Sequence, residues 1–492
     1  MLFLCKKVYL PKHTSKNIAV IKLVNLTFYG GIEEIGGNKV LLEDNDTKIF
    51  LDFGMSFGRR EKYFEEFLNP RSANGIGDFL ELNLIPNIGG IYREDLLEHQ
   101  GIKSEKPEVQ GVFLSHAHAD HANYISFLHR DIPVYCGKTC KYILEAVKEQ
   151  SRREIENEVL DFKKRPVFKK NYRDPPIKRR FNTFRTGDKI KIGDLEIEPV
   201  HVDHSVPGAY GFIIHSSEGA IIYTGDLRMH GRHNHLTKDF LNKSIEEKPV
   251  AMITEGTRVD SGRTYESEEK VYNKSKKKLE ENKRLSVVDF NFKDVDRFTT
   301  FYNIAKDLDR KLVISFKHAC YLERYHKDKK LNAPDSRDEN ILILKPKRLT
   351  GTYIDEDYTD YYIKKRLDYQ NIKTAEEIRK NPQDYVIVLN FWYLNMLIDL
   401  KPDGGTYIHS LSEPFNEEME ISYERMINWI MHFNMNFEQS HCSGHINGAD
   451  LKNLIKKINP EKLYPIHTEK PDMFKNISKK AYMVKEGEKY SI

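Results

Sequence analysis

The run Ser115-His116-Ala117-His118-Ala119-Asp120-His121 places three imidazoles and a carboxylate within six residues. As buried structural groups, each would need its own polar partner, whereas divalent ions satisfy several at once. Alternate residues in a tight loop grip one ion from two sides, and the Asp120-His121 pair that follows turns toward a second. Ala117 and Ala119 leave the space such a loop requires. One loop cannot fill two coordination shells, so further donors must come from elsewhere. His201 and His204 in His201-Val202-Asp203-His204-Ser205-Val206-Pro207 offer nitrogens, Asp226 after Gly225 offers a carboxylate able to bridge two ions, and His467 in Pro465-Ile466-His467-Thr468-Glu469 offers one more nitrogen. Taken singly, a lone histidine is more often a satisfied structural residue. Their order after the central motif reverses that reading.

Such residues must be carried by elements that end where they begin, and short apolar runs meet this need. Lys48-Ile49-Phe50-Leu51 ends at Asp52, Val112-Phe113-Leu114 at Ser115-His116, and Ala220-Ile221-Ile222-Tyr223 at Gly225-Asp226. Val250-Ala251-Met252-Ile253 ends at Glu255, and Leu463-Tyr464-Pro465-Ile466 at His467. These read as strands whose ends display chemistry. Beyond Glu255 the texture changes to Lys/Glu-rich helical stretches around Leu312-Val313-Ile314 and Val386-Ile387-Val388-Leu389, which reads as a separate α/β unit. Leu451, Leu454, Ile455 and Ile458 fall at helical spacing after Asn447-Gly448, and Pro460 closes that helix.

At 492 residues the chain exceeds what one core usually supports, so two domains are expected. With 39% hydrophobic and 31% charged residues and no long apolar run, it reads as a soluble cytoplasmic protein without a membrane partner. Met1-Leu2-Phe3-Leu4-Cys5 is too short for a secretory signal and has its lysines on the wrong side. The five scattered cysteines, Cys5, Cys136, Cys140, Cys320 and Cys442, suit reduced buried thiols. A net charge of +4 is modest, but residues 163–185 hold ten Lys or Arg, among them Lys178, Arg179 and Arg180, with Phe168, Tyr172, Phe181 and Phe184 interleaved. Cations that track phosphates beside rings that stack on bases suit a single nucleic-acid strand. The competing reading is a solvated loop anchored by its aromatics.

Gly30-Gly31-Ile32-Glu33-Glu34-Ile35-Gly36-Gly37-Asn38, Leu51-Asp52-Phe53-Gly54, the His116 to His121 run, His204 before Ser205-Val206-Pro207, and Asp226 follow one another in a recognisable order. Glu255, His445 in Ser443-Gly444-His445, and His467 complete it. The sequence thus resembles the metallo-β-lactamase fold in its β-CASP branch, and within that branch is similar to ribonuclease J. The resemblance implies an α/β fold, an αββα sandwich with an inserted α/β β-CASP domain. Residues 1–250 would begin the metallo-β-lactamase domain, 251–434 form the insert, and 435–492 complete the first domain with His445 and His467.

The resemblance further implies one metal held by His116, His118 and His204, a second held by Asp120, His121 and His467, and Asp226 shared between them. Asp52 would orient ligands, while Glu255, Asp120 and His445 serve catalysis, His445 touching the scissile phosphate or the leaving oxygen. Nitrogen and oxygen donors suit two Zn2+, with Mn2+ as the alternative. Two ions would lower the pKa of an attacking water toward about 7 and stabilise charge on the phosphate. Substrate would lie between the domains, touching Ser443, Gly444 and the pair Lys317-His318. Phe316-Lys317-His318-Ala319 is taken to stand where the family has Phe-Ala-Ser-Asn, and His467-Thr468-Glu469 replaces His-Gly-Glu. No long extension follows His467 to supply a family-type dimerisation domain, although a homodimer is compatible with the sequence. The expected function is a metal-dependent ribonuclease on single-stranded RNA, trimming 5′ to 3′ with endonuclease activity as a second mode, in RNA processing or decay. DNA nucleases of the same branch are the runner-up, but tend to carry valine at the position of His467. A small-molecule metallohydrolase would leave Glu255, His445 and the insert unexplained, and a non-catalytic RNA scaffold would tend to lose ligands.

Overall fold

The computed structural model describes residues 24–65, 67–152, 154–167, 174–262, 266–414 and 417–492. The Met1 to Cys5 stretch and, within the basic segment, Phe168, Lys169, Lys170, Tyr172 and Arg173 lie outside the described residues. A first, mixed sheet runs β22-β1-β2-β3-β4-β5-β8, where β1 is Val24–Gly30, β2 Lys39–Asp44, β3 Thr47–Leu51, β4 Gly111–Leu114, β5 Val134–Gly137, β8 Phe181–Phe184 and β22 Lys489–Ser491. The short strands β6 (Asp161–Phe162) and β7 (Ile177–Lys178) pair separately. A second sheet runs β21-β13-β12-β11-β10-β9, where β9 is Ile190–Ile192, β10 Leu195–Val202, β11 Ala209–Ser216, β12 Gly219–Tyr223, β13 Ala251–Thr254 and β21 Lys462–Pro465. Between β13 and β21 a third sheet intervenes in the order β17-β16-β15-β18-β14-β19-β20. Its strands are β14 (Leu285–Asp289), β15 (Lys311–Ile314), β16 (Ile341–Lys345), β17 (Ile372–Thr374), β18 (Tyr385–Val388), β19 (Gly405–His409) and β20 (Met435–Gln439).

The first two sheets stack face to face over a core of alternating side chains. Leu26, Phe28, Val40, Leu42, Ile49, Leu51 and Phe113 meet Ile197, Phe212, Ile214, Ile221, Tyr223 and Tyr464. Phe113 stands edge-on to Phe212 at 5.9 Å between ring centres, and Phe28 packs on Tyr464 at 5.6 Å. Every pairing in the third sheet is parallel. Such sheets are covered on both faces, which is why Leu312, Val313, Ile314 and Val386, Ile387, Val388 read as unbroken apolar runs. The apolar runs found in the sequence fall on β3, β4, β12, β13, β21, β15 and β18, and the C-terminal apolar stripe is the helix Gly448–Ile458. This is the α/β sandwich with an α/β insert that the sequence implied.

The insert does not hang free. One continuous core joins Phe50, Leu114, Cys140 and Ile143 to Phe290, Ala319, Cys320 and Leu322. Glu149, at the end of the helix Lys138–Gln150, accepts from Arg324 at 2.6 Å and Arg366 at 2.9 Å, both from the insert. Cys136, Cys140, Cys320 and Cys442 are buried free thiols. No helix among the described residues is long and apolar enough to cross a membrane.

One residue expected to bind substrate belongs instead to the core. Arg179 is 6% exposed; it donates to the Leu128 carbonyl at 2.6 Å and the Ser126 carbonyl at 2.7 Å, over the Phe162 ring. It cannot reach a phosphate without abandoning those carbonyls. Its neighbours Lys178 and Arg180 are exposed, Phe184 is buried, and Arg185 pairs with Asp328 at 2.8 Å. The described part of the basic stretch is therefore a bracing segment with three outward cations, Lys164, Lys178 and Arg180. Arg179→Ala strips the buried Leu128 carbonyl of its side-chain donor and leaves the Ser126 carbonyl to Arg93 alone, and should lower unfolding free energy by about 1–3 kcal/mol, whereas Lys178→Ala should lie within about 0.5 kcal/mol of the parent. Urea unfolding of the two variants checks both, and equal stabilities would return Arg179 to the surface.

Candidate metal centre

β3, β4, β12, β13 and β21 end side by side where the first two sheets meet, and the residues just past those ends converge. After β4, Ser115 to His118 form a tight turn and Ala119–Ala122 a single helical turn, which sets Asp120 and His121 on neighbouring faces. Gly54 is required here, since a Cβ would lie 1.6 Å from the Asp120 carbonyl. His116 Nε2 stands 3.0 Å from His118 Nδ1, and His204 Nε2 stands 3.3 Å from the same atom. Donor atoms around a tetrahedral ion at about 2.0–2.1 Å stand roughly 3.3 Å apart. The Asp226 carboxylate closes this group, its Oδ2 lying 3.6 Å from His116 Nε2 and 3.8 Å from His204 Nε2. On its other side the same oxygen lies 3.2 Å from His121 Nε2 and 3.6 Å from His467 Nε2, and Asp120 Oδ2 is 3.2 Å from His467 Nε2. Two donor sets thus share one oxygen. His116, His118, His204 and Asp226 form one cluster of metal-binding spacing, Asp120, His121 and His467 another, and Asp226, Glu255, His445 and His467 a third.

The donors fit divalent ions better than they fit each other. Both Asp226 oxygens and His121 Nε2 are buried with no hydrogen-bond partner of acceptable geometry. Burial pushes His116 and His204 well below the ordinary histidine range and His118 down to about 3, so their lone pairs are free at neutral pH. Burial opposes protonation of His121 as well, but Asp226, Asp52 and Asp120 around it outweigh that and hold it high. Three carboxylates about one imidazole make a surplus of negative charge that a cation would offset.

The outward nitrogens are fixed by partners. His121 Nδ1 donates to Asp52 at 2.7 Å, His204 Nδ1 to the Gly444 carbonyl at 2.7 Å, and His467 Nδ1 meets Thr257 Oγ1 at 2.9 Å. Each leaves Nε2 facing Asp226, the arrangement that sets ring orientation in metal sites. Asp52 itself, at φ +58°, accepts from the Ser115 amide at 2.7 Å, from Ser115 Oγ at 2.7 Å and from Tyr223 OH at 2.6 Å. Thr257 and Tyr223 carried no sequence signal, because a hydroxyl becomes a ligand's partner only through the fold. His201, by contrast, stacks on Tyr210 at 5.0 Å and stands outside all three clusters.

His445 stands on the open side with its side chain 22% exposed and Nδ1 3.0 Å from Glu255 Oε2. Burial disfavours its charge, yet Glu255 and then Asp226 outweigh burial and push it up to about 9. Glu255 is 1% exposed and also accepts from the Leu227 amide at 3.0 Å, so its carboxylate is held between that amide and His445. Ser443 Oγ accepts from the His445 amide at 3.1 Å. A Cβ on Gly444 would lie 2.7 Å from Ser205 Oγ, so its smallness serves the packing of the His204 loop.

A buried charge network missed in the sequence ties these loops to the insert. Arg228, two residues past Asp226, donates to Asp203 at 2.9 Å and Asp296 at 2.6 Å. Arg297 of the insert donates to Glu268 at 2.9 Å, to the Ser410 carbonyl at 2.7 Å and to the Cys442 carbonyl at 3.3 Å. Asp203 precedes His204 and Cys442 leads to His445, so insert and ligand loops share one set of charges.

On the substrate side the pairing of Phe316-Lys317-His318-Ala319 with the family's polar pair fails on geometry. His318 is 2% exposed; its imidazole caps its own helix against Ser315 and stands on the Phe292 ring at 3.7 Å, and burial lowers its pKa to about 3. It has no charge to offer a phosphate and cannot reach one. Lys317 is half-buried, beside Gln150, whose side chain meets the Lys317 carbonyl at 3.4 Å. The turn that follows β14 is the one that reaches the metal loop, with Lys293 Nζ 3.4 Å from the Ala117 carbonyl.

A β-lactamase superfamily domain matches residues 90–240, and a Zn-dependent metallo-hydrolase RNA specificity domain matches residues 430–485. Ribonuclease J 2 of Streptococcus pyogenes is 23% identical over 92% of this chain and 70% of its own length. Ribonuclease J of Helicobacter pylori is 22% identical over 94% of this chain and 58% of its own. The chain is similar to ribonuclease J and has the metallo-β-lactamase fold. A crystal structure of a protein of unknown function from Enterococcus faecalis superposes with a TM-score of 0.72 at 24% identity, covering 96% of this chain and 100% of that one. The chain thus spans between about three fifths and seven tenths of the length of these two ribonuclease J relatives.

Arg228→Met removes one side of a buried charge network and should cost about 3–5 kcal/mol of stability. Because the Asp203 and His204 loop then loses its anchor, metal affinity should fall by roughly 10–100-fold. Thermal unfolding with and without added zinc measures both; a variant as stable and as metal-retentive as the parent would make the network incidental.

Proposed function

We propose that the chain is a two-metal ribonuclease that hydrolyses phosphodiester bonds of single-stranded RNA in the cytoplasm. The observation that carries this reading is the Asp226 carboxylate, buried, without a hydrogen-bond partner for either oxygen, and set between two nitrogen-rich clusters. His116, His118 and His204 would hold a first ion and Asp120, His121 and His467 a second, with Asp226 available to either, and zinc is the preferred metal for such donors. A bound pair of divalent ions supplies Lewis acidity at neutral pH, toward an attacking water and the phosphoryl oxygens alike. His445, kept protonated by Glu255, neutralises a phosphate oxygen or gives its proton to the leaving oxygen. Asp52 and Thr257 hold His121 and His467 in register throughout. Residues 251–434 act as the β-CASP domain, and the strand lies between it and the metal centre.

RNA is favoured as substrate by the match of residues 430–485 to an RNA specificity domain and by His467 at a position where DNA-processing members of this branch tend to carry valine. The 5′-to-3′ direction is carried over from the resemblance to ribonuclease J.

The purified chain should hold close to two metal ions. Asp120→Ala and His121→Ala should each abolish hydrolysis while unfolding remains cooperative. Elemental analysis alongside circular dichroism tests this, and activity that survives a chelator would defeat it. With 5′- and 3′-labelled strands, RNA should shorten from its 5′ end and DNA should be cut far more slowly. Products that shorten from the 3′ end, or a circular RNA cut as fast as a linear one, would overturn the direction; equal cutting of DNA would overturn the substrate.

A further inference from the structure

The two inner ion seats do not use every donor at the centre. Asp226, Glu255, His445 and His467 form a further group whose donor atoms all lie within 4.8 Å of one another. Asp226 and His467 are shared with the inner clusters, whereas Glu255 and His445 belong to neither. The Leu227 amide holds Glu255 by Oε1 at 3.0 Å, and Oε2 takes only a long bond from the Thr257 amide at 3.4 Å. Oε2 is thereby turned toward the imidazole. His445 Nδ1 stands 3.0 Å from it and 3.9 Å from Asp226 Oδ2. Donors around a tetrahedral zinc ion stand about 3.3 Å apart, so these separations bracket the spacing of one coordination shell. Glu255 and Asp226 are each 1% exposed, and His445, 22% exposed, joins the group to solvent.

A divalent cation competes for the lone pairs that otherwise hold a proton between Glu255 and His445, since an imidazole binds a metal only through a deprotonated nitrogen. Charge sets how strongly it competes. Asp52, Asp120, Asp226 and Glu255 place four carboxylates around the centre, and two divalent ions already balance them. A further ion adds charge beyond that balance. His467 Nε2 serves one ion at a time, so the newcomer has two donors of its own, one shared carboxylate and water. It therefore binds more weakly than the inner pair. An imidazole donor favours zinc over manganese or magnesium.

We infer that Glu255 and His445, with the shared carboxylate of Asp226, form an inhibitory seat for a third zinc ion. Zinc binds Glu255 Oε2 and His445 Nδ1, and the Nδ1 proton passes to solvent. The imidazole is then neutral, so it neither offsets charge on a phosphate oxygen nor readily protonates the leaving oxygen. Hydrolysis is thus held off while zinc is in excess. The effect on hydrolysis rests on the two-metal ribonuclease reading; the site itself rests on the donor group alone.

Equilibrium dialysis of the full chain against rising zinc should show two equivalents bound tightly and a third more weakly. Anomalous difference maps at the zinc edge, from crystals grown at high zinc, should place the third between Glu255 and His445. RNA cleavage should peak at two equivalents and fall with the midpoint at which the third binds. Loss of an outer partner of a metal ligand already costs roughly 10–100-fold in affinity, so Glu255→Gln and His445→Ala should each weaken the third equivalent by at least about tenfold. Retention of the first two ions shows that the variants still fold. Two equivalents without a third at saturating zinc, or a third that persists in both variants, discards the site and leaves the two-metal reading intact. A third ion seated there with cleavage undiminished discards the inhibition. A chain that fills the seat yet cuts no RNA keeps the site and loses the ribonuclease reading.

Discussion

Asp226 is a carboxylate held out of water, with both oxygens unpaired and five imidazoles within 4 Å. A buried carboxylate that accepts no hydrogen bond and is offset only by imidazoles still carries a desolvation cost of several kcal/mol. A fold would be expected to shed such a group or to pair it with an arginine, as Asp203 and Asp296 are paired with Arg228. Keeping it bare is consistent with a chain whose lowest free energy includes cations. Much of the surrounding architecture can be understood as the means of keeping the strand-end loops pointed at this one oxygen.

The means are mostly hydrogen bonds one residue removed from the site. Asp52, Thr257 and the Gly444 carbonyl each hold an imidazole by its outer nitrogen. Each belongs to a different part of the chain, so the centre exists only when the sandwich is closed. Arg228 and Arg297 extend that dependence to the insert, because they join the loops of His204 and His445 to Glu268 and Asp296. Insert and metal centre are therefore coupled by shared charges, and substrate held between them would feel both.

The same packing explains where cations are spent on structure and where they are left facing solvent. Arg179, Arg228, Arg297 and Arg366 are buried and saturated with carbonyls and carboxylates. Arg348, by contrast, has its side chain 43% exposed and reaches Asp360 only at 3.9 Å. Net charge does not distinguish these cases; desolvation does, since a guanidinium enclosed by its own protein has no donor left for a phosphate.

Much of the centre was legible in the sequence because metal ligands cluster in motifs and sit where apolar runs stop. The runs ending at Asp52, His116, Asp226, Glu255 and His467 all became strands, and their ends meet as the order of the motifs implied. An apolar run fixes only that a strand is buried, while the polar residue after it has to face something, so their conjunction carries much information. His201 and His204 show the limit: two histidines three apart on one segment look alike, and only the turn after β10 sends one to the ions and the other onto Tyr210. Arg179 and His318 looked like substrate contacts because sequence records charge and not burial. Thr257, Tyr223 and Arg228 had no signal at all, since a hydroxyl or a lone arginine acquires its role from what the fold brings within about 3 Å of it.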